Sequence, residues 1–274
     1  MGNGKTIACV TLPCLALVAI VAAVGGAIYY FYLEPATVHG EGVTEKVDVS
    51  VGDFDAVDVA NIAELVLASG ASAVMVEVDA GWKEHVLTTV EDGTLVVRFK
   101  DGSQPFCPSE KTCEWKVTAT LPSLKGVTAS GSSRLNTQES ADFGVDDLEV
   151  RTSGSSDVTV EGLLAKSVSS RNSGSSKLSL AGEGADSAVY EVSGSSKTDA
   201  DKLPTANVTV GASGSSKLLV NVSNKLLGDA RAVGVVDIRP SLSSDSSEIL
   251  YTGSVPDAAV DVDTADFAKV KRKN

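Results

Sequence analysis

Ser-Gly-Ser-Ser recurs five times between Ser130 and Ser216. Its glycines fall at Gly131, Gly154, Gly174, Gly194 and Gly214, in steps of 23, 20, 20 and 20 residues. A fixed step of that length marks a repeat architecture, in which one unit cannot bury its apolar face until neighbours stack on it. A flexible Ser/Gly linker has a similar composition, but it carries no patterned flanks. Here the motif lies between alternating runs, with Leu148/Val150 and Val208/Val210 before it and Val158/Val160, Leu178/Leu180 and Leu218/Val220 after it. Period-two alternation of aliphatic residues is the signal of half-buried strands.

Strands repeated in one order cannot pair as hairpins without breaking the repeat. The economical solution is all-β: a single-stranded parallel β-helix with about 20 residues per turn, in which equivalent strands of successive turns pair about 4.8 Å apart. Alternation then places Gly154 and Ser156 inward together with Val150, Thr152, Val158 and Val160. The glycines are expected to form a column where the chain bends and a Cβ cannot fit. The last serines, Ser133, Ser156, Ser176, Ser196 and Ser216, are expected to stack as an internal hydroxyl ladder. A turn of this length leaves room for about three short strands and three corners.

The position after each motif carries charge throughout: Arg134, Asp157, Lys177, Lys197 and Lys217. Stacked in register, these residues form an outward stripe that is either a ligand-binding strip or a device that keeps a long sheet face soluble. The repeat decays after Gly214, with Gly234 and Gly253 in altered surroundings, as terminal turns of a stack are expected to do. The regular coil is therefore expected to span residues 123–262 and to be followed by a basic tail over 263–274.

Residues Ile7 to Leu33 form an apolar stretch without a charge that closes on Tyr29, Tyr30, Phe31 and Tyr32. It is long enough to span a bilayer, and its aromatic end suits the headgroup boundary. Lys5 precedes it and Glu34, Glu41, Glu45 and Asp48 follow, which orients the rest of the chain outward. Residues 1–34 thus read as a membrane anchor; cleavage after Ala27 would instead release the remainder. Cys107 and Cys113 flank a short polar loop, the spacing of a disulfide in an oxidising compartment. Between anchor and coil, residues 35–122 lack the twenty-residue step. They show strand patterns at Phe54 to Val59, Leu65 to Ala68, Val74 to Val78, Leu95 to Phe99 and Trp115 to Leu121, an irregular β region suited to capping the coil.

The formal net charge of −13 and pI near 4.6 argue against a nucleic-acid partner. Only His39 and His85 are present, neither beside a serine motif of nucleophile type, so no Ser-His-Asp arrangement suggests itself. Of the stripe positions only Asp157 is acidic, short of the recurrent carboxylates a Ca²⁺-binding coil needs. No cofactor, metal or catalytic residue is indicated. The acidic edge of Asp257, Asp261, Asp263 and Asp266 reads as a solvated edge.

The order of features is itself informative. Phe54-Asp55-Ala56-Val57-Asp58-Val59 comes first, then Asp92-Gly93-Thr94-Leu95-Val96-Val97, then Val117 through Leu124 with its Leu121-Pro122 step, then the Ser-Gly-Ser-Ser ladder. Over roughly residues 45–262 this resembles the "putative auto-transporter adhesin, head GIN domain" family of cell-envelope proteins. The resemblance implies a right-handed β-helix, export and an adhesive or structural role. Where that family commonly repeats a glycine, this chain has Ser133, Ser156, Ser176, Ser196 and Ser216. The expectation is a non-enzymatic, membrane-anchored, extracytoplasmic protein that presents a rigid surface to a glycan, matrix or envelope-protein partner. The alternative is a β-helix enzyme acting on polysaccharide, lyase-like, or an envelope scaffold. Ligand and oligomeric state are left open.

Overall fold

A computed structural model describes residues 35–138 and 141–221 with their side chains. It adds backbone strands at Ala22–Val24, Ala27–Tyr29, Val235–Arg239, Glu248–Tyr251, Val260–Ala265 and Lys269–Arg272, and strand Lys217–Arg231 runs on past the last of those side chains. The described residues are all-β, and no helix among them is long and apolar enough to cross a membrane. The predicted spanning segment over 7–33 lies outside the described residues, except that Ala22–Val24 and Ala27–Tyr29 pair antiparallel. Gly234 and Gly253 also lie outside them. Within the predicted tail, Lys269–Arg272 pairs in parallel with Glu248–Tyr251.

The twenty-residue step is a pairing register. Asp157 lies opposite Lys177, Lys177 opposite Lys197 and Lys197 opposite Lys217, all in parallel. Later in each line Leu148, Val168, Ala188 and Val208 align in the same way. The expected short strands separated by corners are replaced by continuous strands of 16 residues, Asp157–Asn172, Lys177–Val192 and Lys197–Ala212. Register shifts between Val160 and Leu163, Ser179 and Ala185, and Ala200 and Pro204 bend them without a loop.

Ser-Gly-Ser-Ser makes the one tight turn between these strands. Gly131, Gly154, Gly174, Gly194 and Gly214 take φ between 71° and 76°, a conformation only glycine adopts cheaply. A Cβ on Gly154 would lie 2.6 Å from the Gly131 carbonyl oxygen, and Gly174 stands in the same relation to Gly154. The amides of Ser155, Ser175, Ser195 and Ser215 donate to the glycine carbonyl of the line before, at 2.7–2.8 Å. Cross-line pairing therefore continues through the corner.

The glycines, however, face outward rather than inward: the positive-φ turn swings Gly154 and Ser155 to the surface, and the buried alternation of Val150 and Thr152 resumes in the same parity at Ser156. The last serines are buried, at 0–1 % exposure, yet they form no hydroxyl ladder. Ser133, Ser156, Ser176 and Ser196 each donate to the carbonyl three residues back, at 2.6–2.9 Å, closing their own turn. Ser216 donates to the Val192 carbonyl of the previous line at 3.3 Å. The carbonyl within the same turn is the nearer acceptor.

Inside, stacked columns fill the core. Leu135, Val158, Leu178, Thr198 and Leu218 form one, and Val150, Ser170, Tyr190 and Val210 another, all buried. Each fully buried Leu or Val contributes about 1.5–3 kcal/mol, against about 1 kcal/mol for a hydrogen bond. The columns thus supply cohesion, while the corners and one polar cluster specify register. In that cluster buried Asn172 accepts at Oδ1 from Thr152 Oγ1, at 2.6 Å, and from Ser176 Oγ. Its Nδ2 donates to the Lys197 carbonyl at 2.8 Å and to Thr198 Oγ1 at 3.0 Å, so all four bonding positions are filled.

The stack begins earlier than the motif does. Asn61, at φ 64°, holds the glycine place in the segment Ala60-Asn61-Ile62-Ala63, directly against Gly131. Strands Ala56–Val59 and Glu64–Ser69 flank it and pair in parallel with Gly126–Ala129 and Arg134–Thr137. Beyond them Thr94–Phe99 and Trp115–Leu121 extend the parallel order by one more layer. Only then do antiparallel strands enter: Ala73–Asp79 on Trp115–Leu121, Thr44–Val49 on Ala73–Asp79, and Val86–Glu91 on Thr94–Phe99. Trp82, Phe99 and Trp115 close this end with edge-to-face contacts at 5.9 and 5.1 Å. Buried Asp79 ties down the neighbouring segment by accepting from the amides of Glu41, Gly42 and Gly81 at 2.7–2.9 Å.

Candidate binding face

The charged stripe becomes intelligible once the strands are laid side by side. In the sheet Lys46 lies opposite Glu77, Glu77 opposite Lys116, Lys116 opposite Glu64 and Glu64 opposite Arg134. Arg134 lies opposite Asp157, and Lys177, Lys197 and Lys217 follow in register. Across these nine strands the sign alternates from Lys46 through Lys177 and then stays positive. Directly opposed unlike charges stabilise a sheet and like charges oppose it. The ladder therefore compensates itself over seven strands and leaves a cationic run at one end.

At one end of the ladder the opposition closes into an ion pair. The Lys46 ammonium lies 2.6 Å from Glu77, and that hydrogen bond raises the lysine pKa and lowers that of the carboxyl. Within the cationic run Lys197 reaches Asp199 on its own strand at 3.4 Å. Lys177 makes no ion pair among the described residues. Beside the run stand the exposed corner serines Ser175, Ser195 and Ser215. The next column reads Asn136, Thr159, Ser179 and Asp199, polar with one charge, and ends on buried Leu219.

Arg134, Asp157, Lys177, Lys197 and Lys217 are thus brought into one line, and four further members escaped the repeat-based reading. Lys46, Glu77, Lys116 and Glu64 come from strands out of sequence order or antiparallel, so no fixed step points to them. They do share a local signal: each immediately precedes an inward aliphatic residue, Val47, Val78, Val117 and Leu65, as Arg134 precedes Leu135.

Elsewhere on the surface several cations are held in ion pairs. Arg171 Nε meets Glu191 at 2.8 Å, Lys166 meets Asp146 at 2.7 Å and Lys125 meets Asp55 at 2.5 Å. Cys107 and Cys113 form a disulfide with Cα atoms 5.8 Å apart, in the loop beyond strand Ser103–Phe106. That strand pairs with Ala36–His39, where His39 packs edge-on to Phe106 at 4.8 Å. Among the described residues no group of three or more His, Cys, Asp or Glu side chains could hold a metal ion. Asp257, Asp261, Asp263 and Asp266 lie outside the residues with described side chains.

A family profile described as "Putative auto-transporter adhesin, head GIN domain" matches residues 53–240, more than half of the chain. The chain belongs to this family. The head GIN match covers both the parallel strands beginning at Ala56 and the Ser-Gly-Ser-Ser lines. A crystal structure of a "putative adhesin" from Bacteroides fragilis aligns with TM-score 0.72 at 15% identity, over 86% of this chain and 100% of that one. One of a "putative adhesin" from Parabacteroides distasonis gives 0.63 at 18% identity, over 87% and 100%. Another from P. distasonis, described as a "putative lipid binding protein", gives 0.62 at 16% identity, over 87% and 100%. At such identities the likeness is one of fold. No curated protein matched the chain.

Proposed function

We propose that this head GIN protein is a non-enzymatic, membrane-anchored, extracytoplasmic adhesin-like protein. Residues 1–34 hold it to the membrane, 35–122 cap the coil, 123–262 form a right-handed parallel β-helix and 263–274 end the chain. Its rigid sheet face meets a glycan, matrix or protein partner. The coil reading is supported by parallel pairing at a twenty-residue register. The outside location is supported by the Cys107–Cys113 disulfide, a bond that persists in oxidising compartments.

The observation that carries the binding role is the nine-strand outward face with its ordered charge column. A surface built from stacked, hydrogen-bonded strands is held in place without a ligand, so binding loses little conformational freedom. The test is a binding array of glycans, matrix proteins and lipid vesicles, probed with the full chain in detergent micelles. Retention on one class of surface is expected. No retention on any of them, or new reducing or unsaturated ends in acidic polysaccharides incubated with Ca²⁺, would overturn the proposal.

A further inference from the structure

The charge ladder breaks its own rule at one place. From Lys46 to Lys177 every charged side chain faces an opposite one across the strands, and then Lys177, Lys197 and Lys217 face each other. All three are exposed, and Asp199, half-buried beside Lys197, is their one ion-pairing partner among the described residues. Three in-register lysines repel one another, so the run lowers stability slightly relative to continued alternation. Solubility does not require it, because the chain already carries a net charge of −13. A cationic strip on a strongly acidic protein has the wrong sign for the molecule's own surface and the right sign for an anionic partner.

We infer that Lys177, Lys197 and Lys217, with the exposed hydroxyls of Ser175, Ser195 and Ser215, form a binding strip for a linear acidic polysaccharide. The inference rests on the adhesin-like reading above and names its ligand class. Three geometric facts favour this occupant. The lysines recur at the strand spacing of about 4.8 Å, close to the length of one pyranose unit, so a chain with one carboxylate or sulfate per sugar can address each ammonium. Each ammonium is a rotatable point donor that tolerates varied anion geometry. The serine column runs parallel to the lysines on the same face, offering hydroxyl donors and acceptors to sugar hydroxyls. Net negative charge elsewhere repels polyanions, which confines binding to this strip.

The experiment compares the full-length wild type with two triple variants, using a uronic-acid oligosaccharide, a sulfated oligosaccharide and a neutral dextran oligosaccharide as probes. One variant carries Lys177→Ser, Lys197→Ser and Lys217→Ser. The other carries Lys83→Ser, Lys125→Ser and Lys166→Ser, lysines outside the ladder and paired with Glu45, Asp55 and Asp146. Both change net charge equally. The wild type is expected to bind the acidic probes over dextran, with affinity falling steeply between about 0.05 M and 0.5 M salt as screening shortens. The first variant should lose about tenfold or more, the combined effect of three exposed ion pairs, and the second should not. Equal loss in both variants would reduce the effect to overall charge and overturn the inference. So would unchanged binding by the first variant, or no binding of acidic probes by a wild type that still adheres elsewhere in the array; in that last case the adhesin-like reading survives. Because the strip lysines repel one another, the first variant should unfold at the wild-type temperature or slightly above it, which separates lost binding from lost fold.

Discussion

Replacing Gly174 by alanine tests the corner geometry on which the repeat depends. Two costs combine. At φ 76° a side chain is held in the left-handed region, worth about 1–2 kcal/mol. The new Cβ would also lie 2.6 Å from the Gly154 oxygen and 3.0 Å from its nitrogen, backbone atoms fixed by stacking. Forcing a methyl group into such a contact costs about 1–3 kcal/mol. Gly174→Ala should therefore lower stability by about 2–5 kcal/mol. Two reference variants separate the costs. Gly102 has φ 79° with open space around it, so Gly102→Ala should cost only the conformational part. Gly144 meets nothing within 4 Å and has no positive φ, so Gly144→Ala should be neutral or stabilising by about 0.5–1 kcal/mol. Chemical denaturation of the full chain gives the ordering, and hydrogen exchange at the Ser175 and Ser195 amides shows whether loss is centred on the corner. A Gly174→Ala penalty no larger than that of Gly102→Ala would refute the stacked-corner reasoning.

Asn172→Ala should cost about 2–4 kcal/mol, because it takes the side-chain amide partner from Thr152, Thr198 and the Lys197 carbonyl, while Ser176 keeps its bond to the Ser173 carbonyl; a loss in denaturation below about 1 kcal/mol would show that the cluster does not set register. Burial holds the Asp58 carboxyl above its ordinary range, against a smaller opposing pull from Arg98. A raised folded pKa means the ionised form is disfavoured in the fold, so Asp58 detracts from stability above that pKa and the penalty vanishes as pH falls below the unfolded value. Asp58→Asn should accordingly stabilise at neutral pH and lose its advantage in acid; a pH-independent difference in denaturation midpoint would count against this. Reduction of Cys107–Cys113, which closes a loop of sequence separation 6, should cost about 2 kcal/mol on the loop-entropy model. The loss should be confined to exchange of amides in Ala36–His39 and Ser103–Phe106, and global unfolding on reduction would contradict it.

Much of the architecture was legible because its information is local. A positive-φ glycine every twenty residues, flanked by alternating aliphatics, dictates where the chain turns and which strands share a register, whatever lies around it. The same rule failed at the first corner, where Asn61 holds the glycine place: asparagine tolerates the left-handed conformation, so the motif vanished from the sequence while the geometry persisted. The inward glycine column failed for a related reason, since the positive-φ turn carries the glycine out of a pattern whose parity is otherwise kept from Thr152 to Ser156. Carbonyls exposed by that turn then claimed the serine hydroxyls that a ladder would have used.

The sequence by itself determined the repeat, its corners, the buried aliphatic columns and five members of the charged stripe. Only the tertiary structure decided that Glu64, Lys116, Glu77 and Lys46 complete that stripe, turning an uneven set of charges into an alternating ladder with a cationic end. Those four lie on strands whose pairing is out of order or antiparallel. Their neighbours are chosen by which faces bury well together, a non-local energy that leaves no period in the chain.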